Sequence, residues 1–139
     1  MLSEKYREES DSLGTMKVPA DVLYGIHAMR ARENFPDRTL FHPEWYKAMG
    51  LVKLACYEAY RQFKVAVLGR KNNQDVPFPL LEENVLVALE SSAAEVSEGK
   101  HFSAFIVPAV SGGAGTSINM NVNEIIANAA LLKLGLQPG

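Results

Sequence analysis

The residues whose types and spacing could do chemistry lie together late in the chain, in Ser111-Gly112-Gly113-Ala114-Gly115-Thr116-Ser117-Ile118-Asn119-Met120-Asn121. Three glycines deliver two hydroxyls to the start of an apolar-periodic segment, which is the signature of a loop entering a helix. Glycine admits positive φ and lets the backbone approach a ligand closely. Free N–H groups at a helix N-terminus favour an anion, and Thr116 and Ser117 add hydroxyl donors at the same point. Gly115, Thr116 and Ser117 would therefore suit a carboxylate, and a small anionic molecule is the expected partner. A plainer alternative stays open on these residues alone: either hydroxyl could merely cap the helix, as Ser and Thr usually do there. The loop is not a Walker A, because no Lys follows its last glycine, and no strand–helix unit surrounds it to make a dinucleotide fingerprint.

The other polar residues read more blandly. Asn119, Asn121, Asn123 and Asn128 crowd one helical segment, although asparagine is a poor helix former. They are expected to bond something nearby, and for Asn123 and Asn128 that is a neighbouring helix or loop. His27 and His42 have no partner at metal-ligand spacing, and His101 reads as a solvent-facing residue after a helix end. No metal site and no cofactor are expected. Cys56 reads as an inert core thiol, and Arg30 and Arg32 as members of a surface ion pair with Glu33 or a neighbour.

The elements that must position the loop are mainly helical. Residues 2–8 and 15–18 could pair as two short strands around Ser12-Leu13-Gly14, with Pro19 ending the pairing. Residues 21–33 read as a short helical or looped stretch stopped by Pro36. The spacing predicts a long helix over 43–63, with Pro43 in its first turn and a buried stripe of Trp45, Ala48, Val52, Ala55, Ala59 and Phe63, widened by Met49, Leu51 and Cys56. A polar turn at 69–74, then Pro77 and Pro79, lead to a second helix over 80–98. Its stripe is Leu81, Val85, Leu89, Ala93 and Val96, with Glu82 and Glu83 at its positive end and Gly99 closing it. Residues 102–110 are apolar, broken by Pro108, and read as extended and buried. A third long helix over 117–134 turns Met120, Ile125, Ile126, Ala129 and Leu132 inward and ends at Gly135. The fold class is mainly α: about three long helices with a short N-terminal strand pair.

Composition fits one soluble domain. The 139 residues are 47% apolar and 22% charged with a net charge of −2, which suits a globular core and offers no basic footprint for nucleic acid. No apolar run approaches the roughly 18 to 20 residues that span a bilayer. The Glu-rich start lacks a signal peptide's apolar stretch, and a lone cysteine makes no internal disulfide. The expectation is a cytoplasmic protein with no nucleic-acid or membrane partner.

The loop, read on through Asn119-Met120-Asn121-Val122-Asn123-Glu124, closely resembles the first signature block of the aspartase/fumarase superfamily. Class II fumarases typically carry Gly-Ser-Gly-Thr there, and aspartate ammonia-lyases Gly-Gly-Ala-Gly-Thr-Ser; this chain has the second wording at 112–117. Ser12-Leu13-Gly14, Val18-Pro19-Ala20-Asp21, Tyr24-Gly25-Ile26-His27, Arg30-Ala31-Arg32-Glu33-Asn34-Phe35 and Gly99-Lys100-His101 follow the family's N-terminal pattern. It departs at Val110-Ser111, where Tyr-Gln is usual, at Phe105-Ile106-Val107-Pro108, where Phe-Pro-Val-Asp is usual, and at Ala28, where Thr is common. These positions bear on substrate preference and leave Thr116 untouched.

The resemblance implies that residues 1–139 form the N-terminal domain of an aspartase-like lyase whose central helical bundle and C-terminal domain lie outside this sequence. It implies reversible elimination of ammonia from L-aspartate to give fumarate, with Thr116, Ser117, Gly115 and Asn121 as substrate-binding residues. Thr116 would donate to the β-carboxylate, while Asn119 and Asn121 would hold the loop. No catalytic residue is expected within the chain: the base is a serine on a later loop, accompanied by a lysine, and the site combines segments of a homotetramer. The chain alone is therefore expected to be inactive. Three alternatives stand beside this reading: a class II fumarase domain, a related lyase for a larger amino acid, and a non-catalytic helical interaction domain.

Overall fold

The structure, a computed structural model, describes residues 5–69 and 78–139. The expected strand residues 2–4, most of the 69–74 turn and Pro77 lie outside them. The element order is β1 (Tyr6–Asp11), β2 (Gly14–Pro19), α1 (Ile26–Asn34), α2 (Pro43–Leu68), α3 (Glu83–Ser97), a 3₁₀ turn (Phe102–Ala104) and α4 (Thr116–Lys133). The strands form an antiparallel hairpin from Tyr6↔Pro19 to Asp11↔Gly14, so Pro19 is its last rung. The hairpin is tied to the helices by two arginines. Arg7 donates to the carbonyls of Pro19, Val22 and Tyr24 at 2.8, 2.9 and 2.8 Å. Arg30 reaches from α1 to Asp11 at 2.7 Å and to the Gly14 carbonyl at 2.9 Å, and its guanidinium holds the Asp11 carboxyl below its ordinary pKa. The expected ion pair of Arg30 is thus made with Asp11 rather than Glu33.

α2 begins as its sequence asks. Pro43 occupies the first turn, and Nδ1 of His42 accepts the Glu44 N–H at 3.2 Å, so His42 is a cap. The expected stripe, however, is out of phase. Its buried residues are Tyr46 and Gly50, with Leu54 and Tyr57 packed partly against the core. Trp45, Val52 and Phe63 are 38%, 54% and 43% exposed, and Cys56 is exposed rather than a core thiol. The reason is physical: α2 is apolar on more than one face, so periodicity identifies a helix without saying which face turns inward. What selects the face is Gly50, where any Cβ would collide with the backbone of Val96 and Ser97. This is the point at which α2 and α3 touch backbone to backbone.

α3 starts at Glu83, three residues later than the spacing suggests, which leaves Leu81 outside the helix and 37% exposed. Leu86, Ala93 and Val96 are buried and Leu89 packs beside them. Its end follows the sequence: Gly99 takes φ 89°, Gly99 N–H donates to the Val96 carbonyl and Lys100 N–H to that of Glu95, at 2.9 Å each. α4 closes in the same manner, with Gly135 at φ 75° and Leu136 N–H on the Leu131 carbonyl at 2.9 Å. Val122, Ile125 and Ile126 of α4 are fully buried and meet Tyr46, Ala93, Val96, Phe105 and Val107 in the core. Leu132, expected inside, is 51% exposed, near the end of the helix where the core runs out. The 102–110 segment is buried at Phe105 and Val107 as expected, but opens with the 3₁₀ turn instead of running fully extended. Among the described residues, no helix is long and apolar enough to cross a membrane.

Candidate functional site

The loop before α4 is built from backbone handedness. Gly113, Ala114 and Gly115 follow one another at φ 84°, 54° and 79°, and Gly115 is the residue from which α4 starts. Thr116 N–H donates back to the Gly113 carbonyl at 3.2 Å, and Asn119 N–H closes the first helical turn on the Gly115 carbonyl at 3.0 Å. The amides of Ser117 and Ile118 lie between these two, in the helical turn whose N–H groups have no intrahelical acceptor. Among the described residues, no side chain caps this helix. The capping alternative for Thr116 and Ser117 therefore does not hold. Thr116 is exposed, Gly115 and Ser117 are half-buried, and no acidic residue stands in the first turn to compete for the positive end of the dipole. Two hydroxyls and two amides thus sit at one helix end with no acceptor among the described residues, an arrangement that fits a carboxylate.

Asn121 behaves differently from the other three expected substrate-binding residues. It is fully buried. Its Oδ1 accepts Ile106 N–H at 2.8 Å and Val107 N–H at 3.3 Å, while its Nδ2 donates to the Ala104 carbonyl at 3.1 Å. Its carboxamide is committed to the 104–107 segment, so it anchors the approach to the loop and offers no free amide to a ligand. Asn128 likewise clamps backbone, donating to the Leu23 carbonyl at 2.9 Å and accepting Gly139 N–H at 3.0 Å. Among the described residues, the Asn123 side chain donates to the Met120 sulfur at 3.6 Å. His101, at φ 64°, contacts Glu95 at 3.0 Å, and Lys133 reaches the same carboxylate at 2.7 Å, so His101 is paired rather than merely solvent-facing.

Two residues near the loop carry no sequence signal of their importance. Lys53 of α2 donates to the Asn119 side chain, bringing a cation to the start of α4. Placing α2 in its correct rotation would have turned Lys53 inward. Glu124 accepts His27 N–H at 2.8 Å and Ala28 N–H at 3.2 Å, bonding α4 to the start of α1. Burial raises its pKa, against the opposing pull of those backbone donors. Glu9 takes the adjoining Ile26 N–H at 2.7 Å. Two carboxylates thus satisfy the α1 N-terminus across roughly 17 and 97 residues of sequence.

This mainly helical unit with its N-terminal hairpin aligns with solved structures of a fumarate lyase and a class II fumarase. The chain matches a fumarate lyase:delta crystallin from Brucella melitensis with a TM-score of 0.82 and 33% identity, covering 97% of this chain and 29% of that one. A class II fumarase from Schistosoma mansoni aligns at a TM-score of 0.69 and 27% identity, covering 96% of this chain and 26% of its own. In sequence, the chain is homologous to aspartate ammonia-lyase. It is 43% identical to that of a Bacillus species over 134 residues, and 42% identical to that of Bacillus subtilis over 137. The class II fumarate hydratase of Halobacterium salinarum is 40% identical over 139 residues. These alignments cover 96%, 98% and 99% of this chain but 25%, 26% and 26% of the relatives. The chain thus spans about a quarter of the length of the curated relatives it matches. No family model matches it.

Proposed function

We propose that this chain is the carboxylate-binding part of an aspartate ammonia-lyase, acting within a longer polypeptide to interconvert L-aspartate with fumarate and ammonia. The observation that carries the reading is the uncapped start of α4, where Thr116 and Ser117 hydroxyls join free backbone amides. In the elimination, a base takes a proton from the carbon next to the β-carboxylate, negative charge builds on that carboxylate, and the carbon–nitrogen bond then breaks to release ammonia. Donors already oriented towards the carboxylate lower that barrier. Thr116, with Ser117 and the Gly115 backbone beside it, supplies such donors. Asn121 supports them through the 104–107 segment. The base, and the tetramer that completes the site, belong to the rest of a cytoplasmic enzyme.

A class II fumarase is the second reading, favoured by the Halobacterium salinarum relative. Ala114 within Gly113-Ala114-Gly115 favours the ammonia-lyase wording. Fumarate formation by the longer polypeptide, offered L-aspartate and L-malate in parallel, separates them. Turnover of aspartate alone is the expected result. Turnover of malate alone transfers the assignment to fumarase, and silence on both overturns the two readings together.

A further inference from the structure

Five described arginines divide into two groups: Arg7, Arg30 and Arg61 each pair with a carboxylate, at 2.8, 2.7 and 2.7 Å, whereas Arg32 and Arg38 have none within 4 Å among the described residues. Both unpaired guanidinium residues line one cavity of about 290 Å³, near the lower end of small-molecule sites at roughly 300 Å³. Ser103 adds a hydroxyl to that wall, and Phe102, Phe105 and Leu40 give it an apolar side. None of the lining residues belongs to the 112–117 loop, so the inference does not depend on the lyase reading.

Arg38 is held in place by α1. Its Nη1 donates to the carbonyls of Arg32, Phe35 and Asp37 at 2.9, 2.8 and 3.2 Å, at the helix end where carbonyls lack intrahelical partners and cations are favoured. This leaves Nε and Nη2, one edge of the guanidinium fork, without an acceptor among the described residues. Arg32, in the last turn of α1, has no side-chain acceptor at all among them. Glu33 lines the adjoining hollow with Arg32 and Arg38 but forms no ion pair with either. Both arginines are exposed; a guanidinium without a carboxylate partner can take an oxyanion bidentately, and the aromatic and aliphatic wall favours an apolar body attached to one.

We propose that the Arg32–Arg38–Ser103 cavity binds a small organic acid: a carboxylate seated on the two guanidinium groups, with a short aromatic or aliphatic body against Phe102 and Phe105. Phenylacetate is a suitable probe, and phenylacetamide is its uncharged counterpart. Isothermal titration of the polypeptide carrying this chain should show saturable binding of phenylacetate and much weaker binding of the amide. Arg32→Gln should weaken phenylacetate about tenfold to a hundredfold while leaving the thermal unfolding midpoint unchanged, since the Arg32 side chain makes no bond among the described residues and its carbonyl, which Arg38 uses, is kept. Ser103→Ala should weaken it less, and Phe105 is left intact because it belongs to the core. Absence of saturable phenylacetate binding, equal binding of acid and amide, or unchanged affinity in Arg32→Gln would each overturn the proposal.

Discussion

The Glu124 carboxylate accepts the backbone N–H of His27 at 2.8 Å, joining α4 to the first turn of α1 across the hairpin-to-helix junction. Burial raises the pKa of Glu124 above its ordinary 4.5. Because the folded chain then holds this proton more tightly than the unfolded chain, this group's contribution to stability is fullest below the ordinary value and declines as pH rises through the folded value. Glu124→Gln removes the titration and sets an amide NH₂ against a backbone donor. We expect the variant to be destabilised by about 1–3 kcal/mol. In urea unfolding followed at several pH values, the gap between the native chain and the variant should narrow as pH rises through that window. A gap that widened instead would show that the N–H donors outweigh burial.

Gly50→Ala tests the contact that fixes the rotation of α2. A Cβ there meets the backbone of Val96 and Ser97, which cannot swing aside as a flexible side chain could. Although alanine is the better helix former, overpacking should dominate, at a cost of about 1–3 kcal/mol. Denaturant melts of Gly50→Ala beside Ala48→Gly, at an exposed position on the same helix, give the comparison. The second should lose only about 1 kcal/mol from helix propensity.

Asn121→Ala strips acceptors from Ile106 and Val107 N–H and a donor from the Ala104 carbonyl. Leaving such groups unsatisfied costs on the order of 1–3 kcal/mol. Amide hydrogen exchange should speed up at Ile106 and Val107 first, with α3 much less affected. Exchange unchanged at those two amides would show that the carboxamide does not hold the segment.

Much of this fold was legible in the chain. The caps at Gly99 and Gly135, Pro43 at the start of α2 and the loop at 112–117 were all readable, because each depends on a few neighbouring residues with narrow conformational preferences. The rotation of α2 was not, since its apolar residues surround much of the helix and a glycine sets the contact. Cys56 followed that error outward. Glu124 gave no signal either: its partners lie 97 and 96 residues away, and a single Glu in a helix is ordinary. At the candidate site, the sequence placed Thr116 and Ser117 at a helix start but could not tell an accessible side chain from Asn121, whose carboxamide is buried against the 104–107 segment.

Thr116→Ala should separate activity from stability. Thr116 is exposed and its hydroxyl makes no bond among the described residues, so the unfolding free energy should change by no more than about 0.5 kcal/mol. Losing one oriented donor to a developing carboxylate charge should lower kcat of the longer enzyme by about 100-fold to 1000-fold. Thr116→Ser should retain most of the rate. Full turnover in Thr116→Ala would remove Thr116 from the carboxylate site.

Three consecutive left-handed residues, Gly113, Ala114 and Gly115, give the loop a mirror-image stretch of backbone, where Gly99 and Gly135 are left-handed singly. A Cβ added at Gly115 meets nothing within 4 Å, so what restrains that position is chirality rather than space. L-alanine there should open the turn and misalign the amides of α4, whereas D-alanine, introduced by chemical ligation, should fit it and stiffen it. The geometry of the proposed carboxylate site is thus encoded in handedness, and an enantiomeric pair of substitutions at one atom would read it directly.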